Sequence, residues 1–123
     1  MDARGYRQLV VWQRSMEMVE AVYALTDSLP EAERFGLASQ LQRSAVSVPS
    51  NIAEGYARTH TKDYLRHLSY ARGSLAEVET QVIICVRVGR IDREQAMPAW
   101  DLAQEVGKLL ARFIQSITAK VLP

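Results

Sequence analysis

The chain has 123 residues, which sets a single compact domain, 1–123, as the expectation. Hydrophobic residues make up 48% and aromatics only 7%, so the composition supports a mainly aliphatic core and excludes disorder. Fifteen Lys and Arg face fourteen Asp and Glu, and this net charge of +1 excludes a protein that coats nucleic acid or membrane by bulk charge.

A first helix is expected from about Leu9 to Ser28. Trp12, Met16, Val19, Tyr23 and Thr26 step by 4, 3, 4, 3 and read as its seam. Val11, Met18, Val22, Leu25 and Leu29 form a second stripe beside it, wider than one packing partner needs. Pro30 ends this helix because it lacks an N–H and disfavours helical geometry at Leu29.

The second helix is expected over about Glu33 to Tyr56, with Leu37 or Ala38, Leu41, Ala45, Val48 and Ile52 inward. Pro49 removes the bond to the Ala45 carbonyl and predicts a bend. Gly55 suits the C-terminal cap region.

The third helix carries Tyr64, Leu68, Ala71, Leu75, Val78, Val82 and Cys85 at unbroken helical spacing. Thr61 is its expected N-cap and Gly89 its left-handed stop. Gly73, mid-helix, costs about 1 kcal/mol relative to alanine, which a close approach by another helix would explain.

The fourth helix starts at Asp92 or Met97 and runs to about Lys120, along Ala99, Ala103, Val106, Leu110, Phe113 and Ile117. Asp92 with Gln95 resembles a capping box and favours the earlier start, with a bend near Pro98. Four long helices with short links predict an all-α, antiparallel up-down four-helix bundle.

Chemical signatures are sparse. No Glu-x-x-His pair of a di-iron bundle is present, and His60 and His67 read as solvated side chains, so no metal or cofactor is expected. Catalysis is not expected either: Glu54, Glu77 and Glu79 are acids with no nucleophile, metal or substrate loop beside them. The lone Cys85 lies on the third seam and reads as a small buried hydrophobe, in keeping with a reducing cytoplasm. The longest uncharged stretch, Ser44 to Ala53, is too short for a membrane span of about 20 residues. Met1, Asp2, Ala3 and Arg4 are followed by no apolar signal-peptide core, so a cytoplasmic location is expected.

One segment stands apart. Arg43, Ser47, Ser50 and Glu54 step by 4, 3, 4 and share a helical face, with Asn51 beside them. Ser74, Glu77 and Gln81 could face them from the third helix. A solvated face, a hydrogen-bond network at a subunit interface and a ligand or nucleic-acid contact are the three readings of this polar stripe. The serines and Asn51 could also bond carbonyls freed by Pro49. If Arg43 were buried it would need a carboxylate, from Glu54 or Glu77.

The run Leu37–Gly55 (LASQLQRSAVSVPSNIAEG) resembles the hallmark of the bacterial four-helix-bundle family encoded in 23S rRNA intervening sequences. Leu9–Gln13 (LVVWQ), Leu29–Leu37 (LPEAERFGL) and Gly73–Thr80 (GSLAEVET) extend that resemblance in order along nearly the whole chain. Gln42 and Ser44 depart from it, standing where the family often has a basic residue and alanine. The resemblance implies an up-down bundle assembling into a homopentameric ring, without a known activity. It also implies likeness to the accessory protein of diversity-generating retroelements, a basic pentamer that binds nucleic acid and a reverse transcriptase.

Two functions follow as expectations. The first is an oligomeric scaffold or adaptor with a protein partner, because Ile83, Ile84, Val86 and Val88 add apolar surface beyond the third seam. The second is RNA or DNA binding through Arg58, Lys62, Arg66 and Arg72, with Arg87, Arg90 and Arg93 as a smaller cluster. Twelve of the fifteen basic residues are arginine, the better phosphate binder.

Overall fold

The computed structural model describes residues 5–121, so the reading of Met1 to Arg4 lies outside the described residues. Four α-helices carry the fold: α1 (Val10–Thr26), α2 (Leu37–Tyr56), α3 (Thr61–Arg87) and α4 (Arg93–Val121). Short 3-10 turns at Gly5–Gln8 and Glu31–Glu33 complete it, and the described residues contain no strand. Each helix lies beside two others: α1 and α3 both lie against α2 and α4, and the diagonal pairs are farther apart. Across the α2–α3 seam Ser47 meets Ser74 and Asn51 meets His67, so numbering rises on one helix as it falls on the other. The α3–α4 seam behaves alike, with Leu75 beside Gly107 and Glu79 bonded to Gln104.

The core follows the sequence periods on three helices. Ala38, Leu41, Ala45, Val48 and Ile52 are buried on α2, as are Leu68, Ala71, Leu75, Val78, Val82 and Cys85 on α3 and Ala99, Ala103, Val106, Leu110 and Ile117 on α4. Tyr64 and Phe113 are only partly buried against that core.

On α1 the two stripes exchange roles. Val11, Met18, Val22, Leu25 and Leu29 are the core, joined by a fully buried Ser15. Of the expected seam only Thr26 is buried; Trp12 and Val19 are half-buried, and Met16 and Tyr23 are exposed. Ser15 is tolerated because its hydroxyl donates to the Trp12 carbonyl at 2.7 Å, leaving no unpaired polar group.

Helix ends test the capping arguments. Arg90 N–H donates to the Cys85 carbonyl and Gly89 N–H to that of Val86, closing α3 in a Schellman motif. Gly89 has φ 74°, a conformation open to glycine at little cost. Asp92 and Gln95 form the reciprocal capping box: the Gln95 N–H donates to Asp92 Oδ1 at 2.8 Å, and the Asp92 N–H to Gln95 Oε1 at 2.9 Å. This box starts α4 at Arg93 and leaves Pro98 inside the helix.

Three local expectations are corrected. Thr61 is the first helical residue, and extended His60 precedes it without a side-chain cap. Helix α2 begins at Leu37, because a 3-10 turn and then Gly36 occupy the segment after Pro30. Gly55 lies within α2 rather than at its cap. A Cβ there would meet His67 Cβ and Tyr64 Cδ1 at 2.9 Å, so the missing side chain lets α3 approach.

Gly73 has the opposite environment. An added Cβ would meet nothing within 4 Å, so no helix of this chain exploits the site. Gly73→Ala should therefore raise the stability of the single chain by about 1 kcal/mol, read as a higher urea midpoint.

Candidate functional site

The polar stripe lies on the outer edge of the α2–α3 seam. The Ser47 and Ser74 hydroxyls bond at 2.8 Å across it. Asn51 Nδ2 donates to the Ser47 carbonyl at 2.9 Å and to Ser47 Oγ at 3.0 Å. That amide therefore serves the Ser47 carbonyl and not the one Pro49 leaves free at Ala45. His67 extends the network, its Nδ1 standing 3.5 Å from Asn51 Oδ1 and 4.0 Å from Glu54 Oε2.

The stripe is thus only half assembled. Ser47, Asn51 and Ser74 come together in half-buried positions, with Glu54 at the margin. Arg43 is exposed and holds no carboxylate among the described residues; Glu54 instead accepts from Arg58 at 2.7 Å. Ser50 turns toward α1, beside Trp12 and Met16, and Glu77 is exposed. Gln81 Oε1 is buried with no hydrogen-bond partner among the described residues.

His67 is the member that sequence reasoning missed. It is 7% exposed and packs edge-on against Tyr70, so the solvated reading fails for it. A signal was present: His67, Ser74 and Gln81 step by seven, each just before a core residue of α3. Among the described residues no group of three or more His, Cys, Asp or Glu is placed to hold a metal ion.

The basic cluster is partly neutralised. Arg58 pairs with Glu54, and Arg66 with Asp63 at 2.8 Å. Lys62 and Arg72 are exposed and form no ion pair among the described residues. In the smaller cluster Arg90 is held by Glu33 at 2.8 Å, whereas Arg87 and Arg93 hold no carboxylate among the described residues.

Residues 7–112 match the family model described as 23S rRNA-intervening sequence protein. The chain belongs to that family. A crystal structure of a protein of unknown function from the S23 ribosomal protein family of Bacteroides thetaiotaomicron is similar to it, with 28% identity and a TM-score of 0.79. The likeness covers 85% of this family member and 98% of that chain. No match is found among curated proteins. Among the described residues of this family member, no helix is long and apolar enough to cross a membrane.

Two titratable groups, the buried Cys85 and the part-buried Tyr64, set a pH limit. Burial, with a smaller contribution from Tyr56, pushes the Tyr64 hydroxyl above its ordinary 10.0. Burial, aided by Glu33, likewise raises the Cys85 thiol above 9.0. Both are neutral when protonated, so the folded chain holds these protons more tightly than the unfolded chain. Their stabilisation is full below the ordinary values and declines as pH rises through them toward the raised folded values. Urea midpoints should fall above about pH 9, and Cys85→Ala should remove the part that begins there.

Proposed function

We propose that this chain is a non-enzymatic, self-assembling scaffold or adaptor. The observation that carries this reading is the apolar surface beside the α1–α2 seam. Met16, Tyr23 and Val46 are 38%, 45% and 41% exposed, and a shallow groove runs between Trp12 and Pro49 next to them. A single chain gains nothing from keeping such residues in water, and contiguous apolar patches mark contacts. The unused space at Gly73 supports the same reading. The polar stripe supports it too, since its central hydroxyls and amide are engaged with one another.

The assembly is a cyclic homo-oligomer, with five copies favoured by the family resemblance. Light scattering at micromolar concentration tests this. A mass of several chains that falls toward one chain in Tyr23→Glu and Val46→Glu is the expected result. A single-chain mass for the unaltered protein would overturn it.

RNA or DNA binding is the second reading, supported by the unpaired Lys62 and Arg72. Arg58 and Arg66 contribute less, because their charge is met by Glu54 and Asp63. Retention on RNA at low salt, lost in Lys62→Ala/Arg72→Ala, would support it. A ring would repeat the patch on every subunit.

A further inference from the structure

The α3–α4 seam opens into a groove near its link, lined by Ile83, Val86, Met97 and Trp100, with Arg87 and Arg93 also on its wall. Both arginines are exposed, and neither holds a carboxylate among the described residues. Arg14, Arg34, Arg58, Arg66 and Arg90 each pair with an acid of this chain; Arg43, Arg72 and Arg112 do not among the described residues, but only Arg87 and Arg93 stand together on this apolar wall. Arg93 is also at the wrong end of its helix. It occupies the first position of α4, where the helix dipole disfavours a cation. The nearby Asp92 carboxylate already accepts from the Gln95 N–H. Two uncompensated guanidinium groups on an apolar wall form a surface whose complement is an anion with an apolar body.

We propose that this groove docks an acidic amphipathic peptide segment of a partner protein. Leu, Ile or Phe anchors would lie over Val86, Met97 and Trp100, and Asp or Glu would pair with Arg87 and Arg93. Carboxylate is favoured because the guanidinium fork matches it in two hydrogen bonds. A nucleic-acid strand fits less well, since it would lay charged phosphates along apolar side chains. Ile83 on its wall is 41% exposed, so the groove is open to solvent and suits a chain segment better than a small molecule. The groove is complete in one chain, and the inference does not depend on self-assembly.

Selection of a random phage-displayed peptide library on the full chain tests it. Enriched sequences should place Asp or Glu next to Leu, Ile or Phe. A synthetic enriched peptide should lose about tenfold or more in affinity to the Arg87→Glu/Arg93→Glu double variant, read by fluorescence anisotropy. Exchanging its acids for lysine should restore binding to that variant. Both arginines are exposed, and circular dichroism controls for folding. Absence of enrichment, enriched peptides without carboxylates, or equal binding to the double variant would overturn the proposal. So would a drop in assembled mass of the double variant, because a second copy would then occupy the groove.

Discussion

Gly55→Ala should lower the unfolding free energy by about 1–3 kcal/mol, although alanine is the better helix former. The new methyl would stand 2.9 Å from His67 Cβ, an atom tied to the α3 backbone, and 3.2 Å from the Tyr64 carbonyl oxygen. Relief requires α2 and α3 to separate, which also lengthens the approach of Asn51 to His67 and of Ser47 to Ser74. Chemical denaturation gives the size of the effect. Comparison with Gly73→Ala gives its cause, since the same substitution in open space should change stability in the opposite direction. Equal effects at the two positions would sink the close-approach argument.

Ile52→Ala should cost about 2–5 kcal/mol. Ile52 is fully buried on the inward face of α2, between Pro49 and Gly55 in sequence. Its removal deletes packed methyl groups and leaves a cavity that four interlocked helices can close only in part. Ser50→Ala, two residues away, should change stability by no more than about 0.5 kcal/mol, because Ser50 is exposed. The pair separates the two halves of the hallmark run. A small loss at Ile52 would show that the inward face is not the core.

Helical period made most of this fold legible. On α3 and α4 each seam is a row of aliphatic residues, and the buried set follows those rows closely. Asp92 with Gln95 and Gly89 were equally readable, because each satisfies a backbone group through local geometry. The stripe order on α1 was not readable. Both of its stripes are apolar at helical spacing, and only tertiary contact decides which faces in. The candidate site was half legible for a similar reason. Spacing placed Arg43, Ser47, Ser50 and Glu54 on one face, but the α2–α3 crossing admits Ser47 and Asn51 and turns Ser50 toward α1. His67 shares the seven-residue step of Ser74 and Gln81 on α3, but the depth of its burial also depends on the space beside Gly55, which lies on α2.

The ring of helices has a kinetic consequence. Three of its seams join helices adjacent in sequence; only the α1–α4 seam, tied by Arg14 to Glu105 at 3.0 Å, joins elements far apart along the chain. Closing that seam carries the largest loop entropy, so it is expected to form after the α2–α3 hairpin. Truncations along α1–α4 should then speed unfolding while leaving the folding rate nearly unchanged, and those at the α2–α3 crossing should slow folding. Stopped-flow chevrons of Val11→Ala and Leu68→Ala would distinguish the two. The residues that hold Asn51 beside His67 would then govern how fast the chain finds its fold, while those near Arg14 would govern how long it stays there.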